Sequence, residues 1–123
     1  MSADPRHHLG RLGERIAAEH LERRGFVVLA RNYRTRWGEL DIVAHDGERT
    51  VFCEVKTRRL GSSSTPLEGF REAQQQRVRK MAVGWLQEHP DRPHTAELRF
   101  DAVGVTIDAT GRLAALEHLE GVF

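Results

Sequence analysis

Apolar residues recur at three- and four-residue steps near the N-terminus: Leu9, Leu12 and Ile16, followed in the same register by His20. That spacing predicts an amphipathic helix over residues 8–24, with Gly25 as its C-terminal stop. Gly10, Gly13 and Ala17 flank the apolar stripe. Glycine inside a helix costs about 1 kcal/mol relative to alanine, so this ridge of small residues predicts the close approach of another backbone. The pattern then turns extended. Residues 26–33, 40–44 and 50–57 are rich in Val, Ile, Leu and Phe and read as three strands. Residues 60–66, LGSSSTP, read as a loop. Residues 67–89 carry Phe70, Ala73, Val78, Met81, Ala82, Trp85 and Leu86 at helical spacing, and Pro90 and Pro93 end that helix. Residues 98–107 predict a further strand. The short element at 113–119 has no clear period, and Ala114 and Ala115 favour helix there. The order predicts an α/β chain, an α+β mixed sheet with two helices packed on it. Residues 1–7 read as a flexible tail and 8–123 as a single domain.

Between the second and third strands, His45-Asp46-Gly47-Glu48 carries the Asp-Gly signal of a tight hairpin. If Asp46-Gly47 closes it, paired residues sum to 93, which sets Asp41 opposite Phe52 and Glu39 opposite Glu54. Directly opposed residues share a face, so Glu39, Asp41, Glu54 and Lys56 converge on one side of the sheet. Leu40, Ile42, Cys53 and Val55 are left for the other side. A slip of one residue would reverse the face of Asp41.

Converging carboxylates repel one another and are costly to desolvate unless paired or metal-bound. A hard divalent cation takes carboxylate, carbonyl and water oxygens. Asp41, Glu54 and the backbone carbonyl of Val55 offer one side of such a shell. A metal there would polarise a phosphate and acidify a bound water, with Lys56 placed to orient that water or stabilise developing charge. Glu14 offers another carboxylate from the rim of the first helix. The bland alternative is a Glu54–Lys56 surface ion pair beside a solvated acidic edge. The setting of these acids within otherwise apolar strands weighs against it.

Composition narrows the partners. The chain has 123 residues, 19 Lys+Arg, 18 Asp+Glu and a net charge of +1. Seventeen of the basic residues are arginine, the residue suited to bidentate phosphate contacts. Residues 1–59 carry +3 and residues 90–123 carry −3; without Glu14, Glu39, Asp41 and Glu54 the first segment is +7. Arg34, Arg36 and Trp37 interleave cations with an aromatic before the acidic strand. Arg58 and Arg59 follow the Glu-x-Lys strand. Both segments are candidates for gripping a nucleic-acid backbone and stacking on exposed bases. No apolar run is long enough for a membrane helix, the N-terminus lacks a signal-peptide core, and the single Cys53 excludes an internal disulfide. A cytoplasmic location is expected. The seven histidines show no helical ligand pair, so a zinc site is not expected.

Taken together, Gly13–Phe26 (GERIAAEHLERRGF), ARNYRTRWGELDIVA, VFCEVKTR and RFDAVGV resemble the YraN-like family of uncharacterised proteins over nearly the whole chain. That family resembles the PD-(D/E)XK nuclease superfamily, in particular the archaeal Holliday junction resolvases. The resemblance implies a restriction-endonuclease-like fold and an endonuclease using Mg²⁺ or Mn²⁺ on structured or branched DNA. Asp41, Glu54 and Lys56 match its catalytic core, Glu14 its helix glutamate, and Gln74 or Gln75 the place of a further site residue. Leu40 stands where the superfamily has its proline. A homodimer is expected by analogy. The other readings are a non-catalytic nucleic-acid-binding module on the same fold, and a protein-interaction domain.

Overall fold

The computed structural model describes residues 5–123, with seven elements: α1 (Pro5–Arg23), β1 (Val27–Thr35), β2 (Gly38–His45), β3 (Arg49–Arg59), α2 (Glu72–Glu88), β4 (Glu97–Ile107) and β5 (Leu113–Leu119). The five strands form one sheet in the order β1-β2-β3-β4-β5. Only β3 and β4 run parallel; the other neighbours are antiparallel. A parallel pair needs a crossover, and α2 with its flanking loops supplies it.

Side chains leave β3 alternately to two cores. Val51, Cys53 and Val55 pack with Ala17, Ala18 and Leu21 of α1. Phe52 packs with Val78, Met81, Ala82 and Trp85 of α2. The helices therefore cover opposite faces, and the central strands are buried on both, which is why they read as nearly continuous apolar runs. The result is a restriction-endonuclease-like α/β fold, a mixed sheet between two helices. No helix among the described residues is long and apolar enough to cross a membrane.

The small ridge of α1 meets its expectation at two of three positions. A Cβ on Gly13 would lie 1.9 Å from Thr57 Oγ1, so α1 rests directly on β3, and Ala17 is fully buried. Gly10 has nothing within 4 Å of a Cβ.

Several expectations are corrected. Of the expected N-terminal tail, residues 1–4 lie outside the described residues and residues 5–7 belong to α1. The second helix begins at Glu72 rather than at residue 67. The chain before it crosses β4, where Pro66 Cβ and Leu67 Cγ lie 3.1 and 3.0 Å from a Cβ placed on Gly104. Gly69 then takes φ +79, which a continuing helix does not allow. Phe70 is thus outside the helix and meets Phe123 edge-on at 5.0 Å. Residues 113–119 form a strand, because β4 offers a pairing edge that outweighs the preference of Ala114 and Ala115 for helix.

The hairpin register also differs. Ile42 pairs with Cys53 and His45 with Thr50, so partners sum to 95 rather than 93. The cause is local: Asp46 Oδ1 accepts hydrogen bonds from the N–H groups of Glu48 and Arg49, both at 2.9 Å, which makes Asp46 the first turn residue and centres the turn on Gly47-Glu48. A slip of two residues keeps every side chain on its face. Leu40 departs from the pattern. It packs with Val43 and Phe52 on the α2 side, not with Ile42, Cys53 and Val55. The alternation breaks between Leu40 and Ile42, beside Asn32 of β1, which lies between the pairs Arg31–Ile42 and Tyr33–Leu40 and has φ +52.

Candidate active site

The β2–β3 ladder stops at Ile42–Cys53, one step short of Asp41. Beyond that point the N–H of Val55 has no backbone partner on β2. Asp41 Oδ2 accepts it instead, at 2.8 Å. In extended backbone a residue's C=O points toward the same neighbour as its N–H, so the Val55 carbonyl also faces this opening. Glu54, the next residue along the ladder, is 7 % exposed and in hydrogen-bonding contact with Asp41. Glu14 reaches the same carboxyl from α1, which Gly13 lets settle onto β3. Glu14, Asp41 and Glu54 thus meet where two strands part beneath a closely docked helix.

The electrostatics follow from that crowding. Burial, then the hydrogen bond and charge of Glu54, push the Asp41 carboxyl up to about 9, against the pull of the Val55 N–H and Lys56. Burial and the charge of Asp41 also raise Glu14, although Arg11 opposes this by donating from Nη1 to Glu14 Oε1 at 3.0 Å.

Glu39 stands apart from the other acids. Arg34 Nη2 donates to it at 3.3 Å and Arg11 Nη1 lies 3.6 Å away, so it forms the rim. Arg11 therefore links Glu14 to Glu39. That role was not read from the sequence, although the i, i+3 spacing of Arg11 and Glu14 carried the signal. Lys56 lines a groove of about 490 Å³ with Glu14, Arg58, Arg59 and Ser62. A second groove, of about 330 Å³, shares Glu14 and Gly10 with the first and is lined also by Arg11, Arg34 and Glu39. Arg36 and Trp37 lie at the β1–β2 turn, with the guanidinium 4.4 Å from the indole centroid.

The two glutamines serve the start of α2. Gln74 Oε1 accepts from the Arg71 N–H at 3.0 Å, and Gln75 Nε2 donates to the Phe70 carbonyl at 3.3 Å. Neither side chain hydrogen-bonds Asp41, Glu54 or Lys56. Cys53 is buried and burial pushes its thiol up, which removes it as a nucleophile. A separate polar network was also missed. Asp101, fully buried, accepts from His118 Nε2 at 2.8 Å, and His118 Nδ1 lies 3.0 Å from His20 Nε2.

The donor set suits one kind of cation. Among the described residues no group of three or more acidic, histidine or cysteine side chains is placed to hold a metal ion on its own. Two or three carboxylates and a carbonyl, approaching from one side, match Mg²⁺ or Mn²⁺, which keep several waters, better than a fully caged ion.

Comparison with known proteins places the chain. The uncharacterised protein family UPF0102 matches residues 13–105, which span α1 to β4 and every acid described above. A UPF0102 protein of Frankia casuarinae is 47% identical over 119 residues, covering 94% of this chain and 95% of its own. One from Acidothermus cellulolyticus is 47% identical over 130 residues, covering 99% and 98%. One from Kineococcus radiotolerans is 42% identical over 114 residues, covering 93% and 92%. The chain belongs to the uncharacterised protein family UPF0102, the YraN-like family that its sequence motifs resemble.

Proposed function

We propose that this protein is a metal-dependent nuclease that hydrolyses phosphodiester bonds in DNA. The observation that carries the reading is the Asp41 carboxyl, held by the Val55 N–H between Glu14 and Glu54 where β2 and β3 part. Arg11 pairs with Glu14, yet burial and Asp41 still raise Glu14, and burial and Glu54 raise Asp41, as expected of a site that exchanges protons for a divalent ion.

In this reading Asp41, Glu54 and the Val55 carbonyl hold Mg²⁺ or Mn²⁺, with Glu14 taking part directly or through water. When bound, the ion polarises the scissile phosphate and acidifies a water. The protein's own groups do the rest. Lys56 Nζ, on the groove wall beside Glu14, orients the attacking water and stabilises the charge that builds on the phosphate. Arg58 and Arg59 hold the backbone on one side of the acids and Arg34 on the other. Burial of the carboxylates beneath α1 keeps their charge unscreened and directed at the opening.

The test is cleavage of labelled duplex, tailed and junction DNA with Mg²⁺ or Mn²⁺. Cleavage should require the ion. It should fall by about 100-fold or more in Glu54→Gln and in Lys56→Ala, the order expected for losing a metal ligand or a charge-stabilising group. Cleavage that survives both substitutions removes the mechanism.

A further inference from the structure

α2 contains a glycine that no packing explains. Gly13 and Gly104 leave no room for a Cβ, whereas one on Gly84 would meet nothing within 4 Å. Glycine in mid-helix is less favourable than alanine, so the empty space at Gly84 carries a cost that packing does not offset. Gly84 lines a groove of about 470 Å³ between α2 and the β1–β2 turn, with Tyr33, Arg34, Trp37, Gln87 and Glu88 around it.

The far wall of that groove is an aromatic on a fixed mount. Trp37 is 38% exposed at the turn. Its N–H donates to Thr35 Oγ1 at 3.1 Å, and the same hydroxyl donates to the Gly38 carbonyl at 2.8 Å. The turn is thus tied by a side chain, so the backbone that carries the indole is already ordered. Glu88, the acid in the groove, accepts a hydrogen bond from the Tyr33 hydroxyl.

The groove adjoins the candidate active site through Arg34. Arg34 lines both it and the groove over Glu14 and Glu39, and Glu14 lines both that groove and the one beside Lys56, Arg58 and Arg59. A backbone lying over the acids therefore reaches Trp37 by passing Arg34, a side chain 83% exposed.

We propose that the groove between Trp37 and Gly84 takes an unpaired base from the DNA strand that crosses the acidic site. This rests on the nuclease reading and narrows its substrate to DNA with an unpaired segment. Stacking on an aromatic needs an open π-face, which a base inside a continuous duplex does not offer. The mouth beside Gly84 admits the flat ring, Trp37 stacks on it by the face opposite the Arg36 guanidinium, Arg34 meets its phosphate, and the Gln87 amide meets its edge.

The test is ion-free binding, followed by fluorescence anisotropy in a chelator, of a blunt duplex and of the same duplex with a short unpaired tail. Wild type should bind the tailed DNA about tenfold more tightly, the size of a single stacked base. Trp37→Ala and Gly84→Leu should each bring the ratio close to one. The leucine fills the groove without displacing any atom near its Cβ. Its melting temperature, expected at or above wild type, shows that the fold is intact. Equal wild-type binding of the two DNAs, no binding of either, or a ratio that neither variant changes overturns the proposal. Because the assay contains no metal, its outcome is separate from cleavage. A protein that prefers the tail yet never cuts loses the nuclease mechanism and keeps this groove. One that cuts both DNAs and binds them equally does the reverse.

Discussion

Asp41 is stabilised and destabilised by the same placement. Its Oδ2 takes a backbone N–H that the ladder no longer serves, yet Glu54 and Glu14 crowd it in a buried setting. An acid raised from 3.8 to about 9 binds its proton more tightly in the folded chain than in the unfolded one. Above pH 3.8 the unfolded chain gains by ionising while the folded chain resists. This carboxyl therefore lowers stability progressively as pH rises from about 4 toward 9. Asp41→Asn keeps an acceptor for the Val55 N–H and removes the ionisation. Without divalent ions it should be more stable than wild type by about 1–3 kcal/mol at pH 8, with the gain shrinking toward pH 4, as read by urea unfolding across that range. A variant less stable than wild type at pH 8 would mean that the crowding has been misread. If Asp41 holds the metal as proposed, added Mg²⁺ should stabilise wild type and leave the variant less affected.

Helices and strands decide how these residues meet, and the close seat of α1 is the clearest case. Gly13→Ala would put a methyl into Thr57 Oγ1, which can yield only by moving the helix or the strand beneath it. Overpacking of this kind costs about 1–3 kcal/mol, and the same shift draws Glu14 away from Asp41. Gly10→Ala, where nothing stands in the way, should be neutral or slightly stabilising, so paired thermal melts of the two variants test whether α1 is seated as described. The elements were largely legible because each is driven by periodicity: the stripe of α1, the double-sided apolar run of β3 and the Asp-Gly turn. The meeting of Asp41 and Glu54 was legible in part: a two-residue register error preserves faces within the ladder, but the alternation of β2 breaks between Leu40 and Ile42, so parity alone did not fix the side of Asp41. What was not legible depends on partners distant in sequence. β5 is a strand because β4 leaves an edge to pair with, and α2 starts late because the chain must first cross Gly104. Leu40 changes core where Asn32 takes a positive φ, a conformation that composition permits but does not specify.

At the scale of the molecule, one buried acid ties the ends of the chain together. Asp101 on β4 accepts from Arg99 Nε and Nη2, from His118 Nε2 on β5 and from the Gly121 N–H, at 2.8–2.9 Å. With His118 Nε2 donating, its Nδ1 is free to accept from His20 Nε2 on α1, so a neutral histidine pair uses each of these hydrogens. Burial alone would raise Asp101, but the bonds from His118, Arg99 and Gly121 outweigh it and hold the carboxyl below its usual value. Its contribution is therefore present above about pH 4 and is lost as pH falls through the depressed folded value. His20 titrates earlier. Burial, and after it the neighbouring His118, Arg24 and Arg23, lower it below 6.5, so the unfolded chain takes up that proton first and stability is lost as pH falls from 6.5 through the folded value. Asp41 works in the opposite direction over this range, so only a difference between proteins isolates the histidine. His20→Phe should lose less stability than wild type between pH 7 and pH 5. Asp101→Ala, which leaves Arg99, its side chain 10% exposed, with Glu120 at 3.6 Å in place of two hydrogen bonds, should cost about 3 kcal/mol already at pH 7. Urea unfolding of the three proteins at pH 7 and pH 5 decides the matter. If wild type and His20→Phe change in parallel, the network braces the ends of the chain without sensing protons. If Asp101→Ala unfolds like wild type, it does not brace them either. Asp101 pairs with Cys53, one residue from Glu54, but its hydrogen bonds run to Arg99, His118 and Gly121, so the chemistry proposed for Asp41 and Glu54 stands on its own measurements.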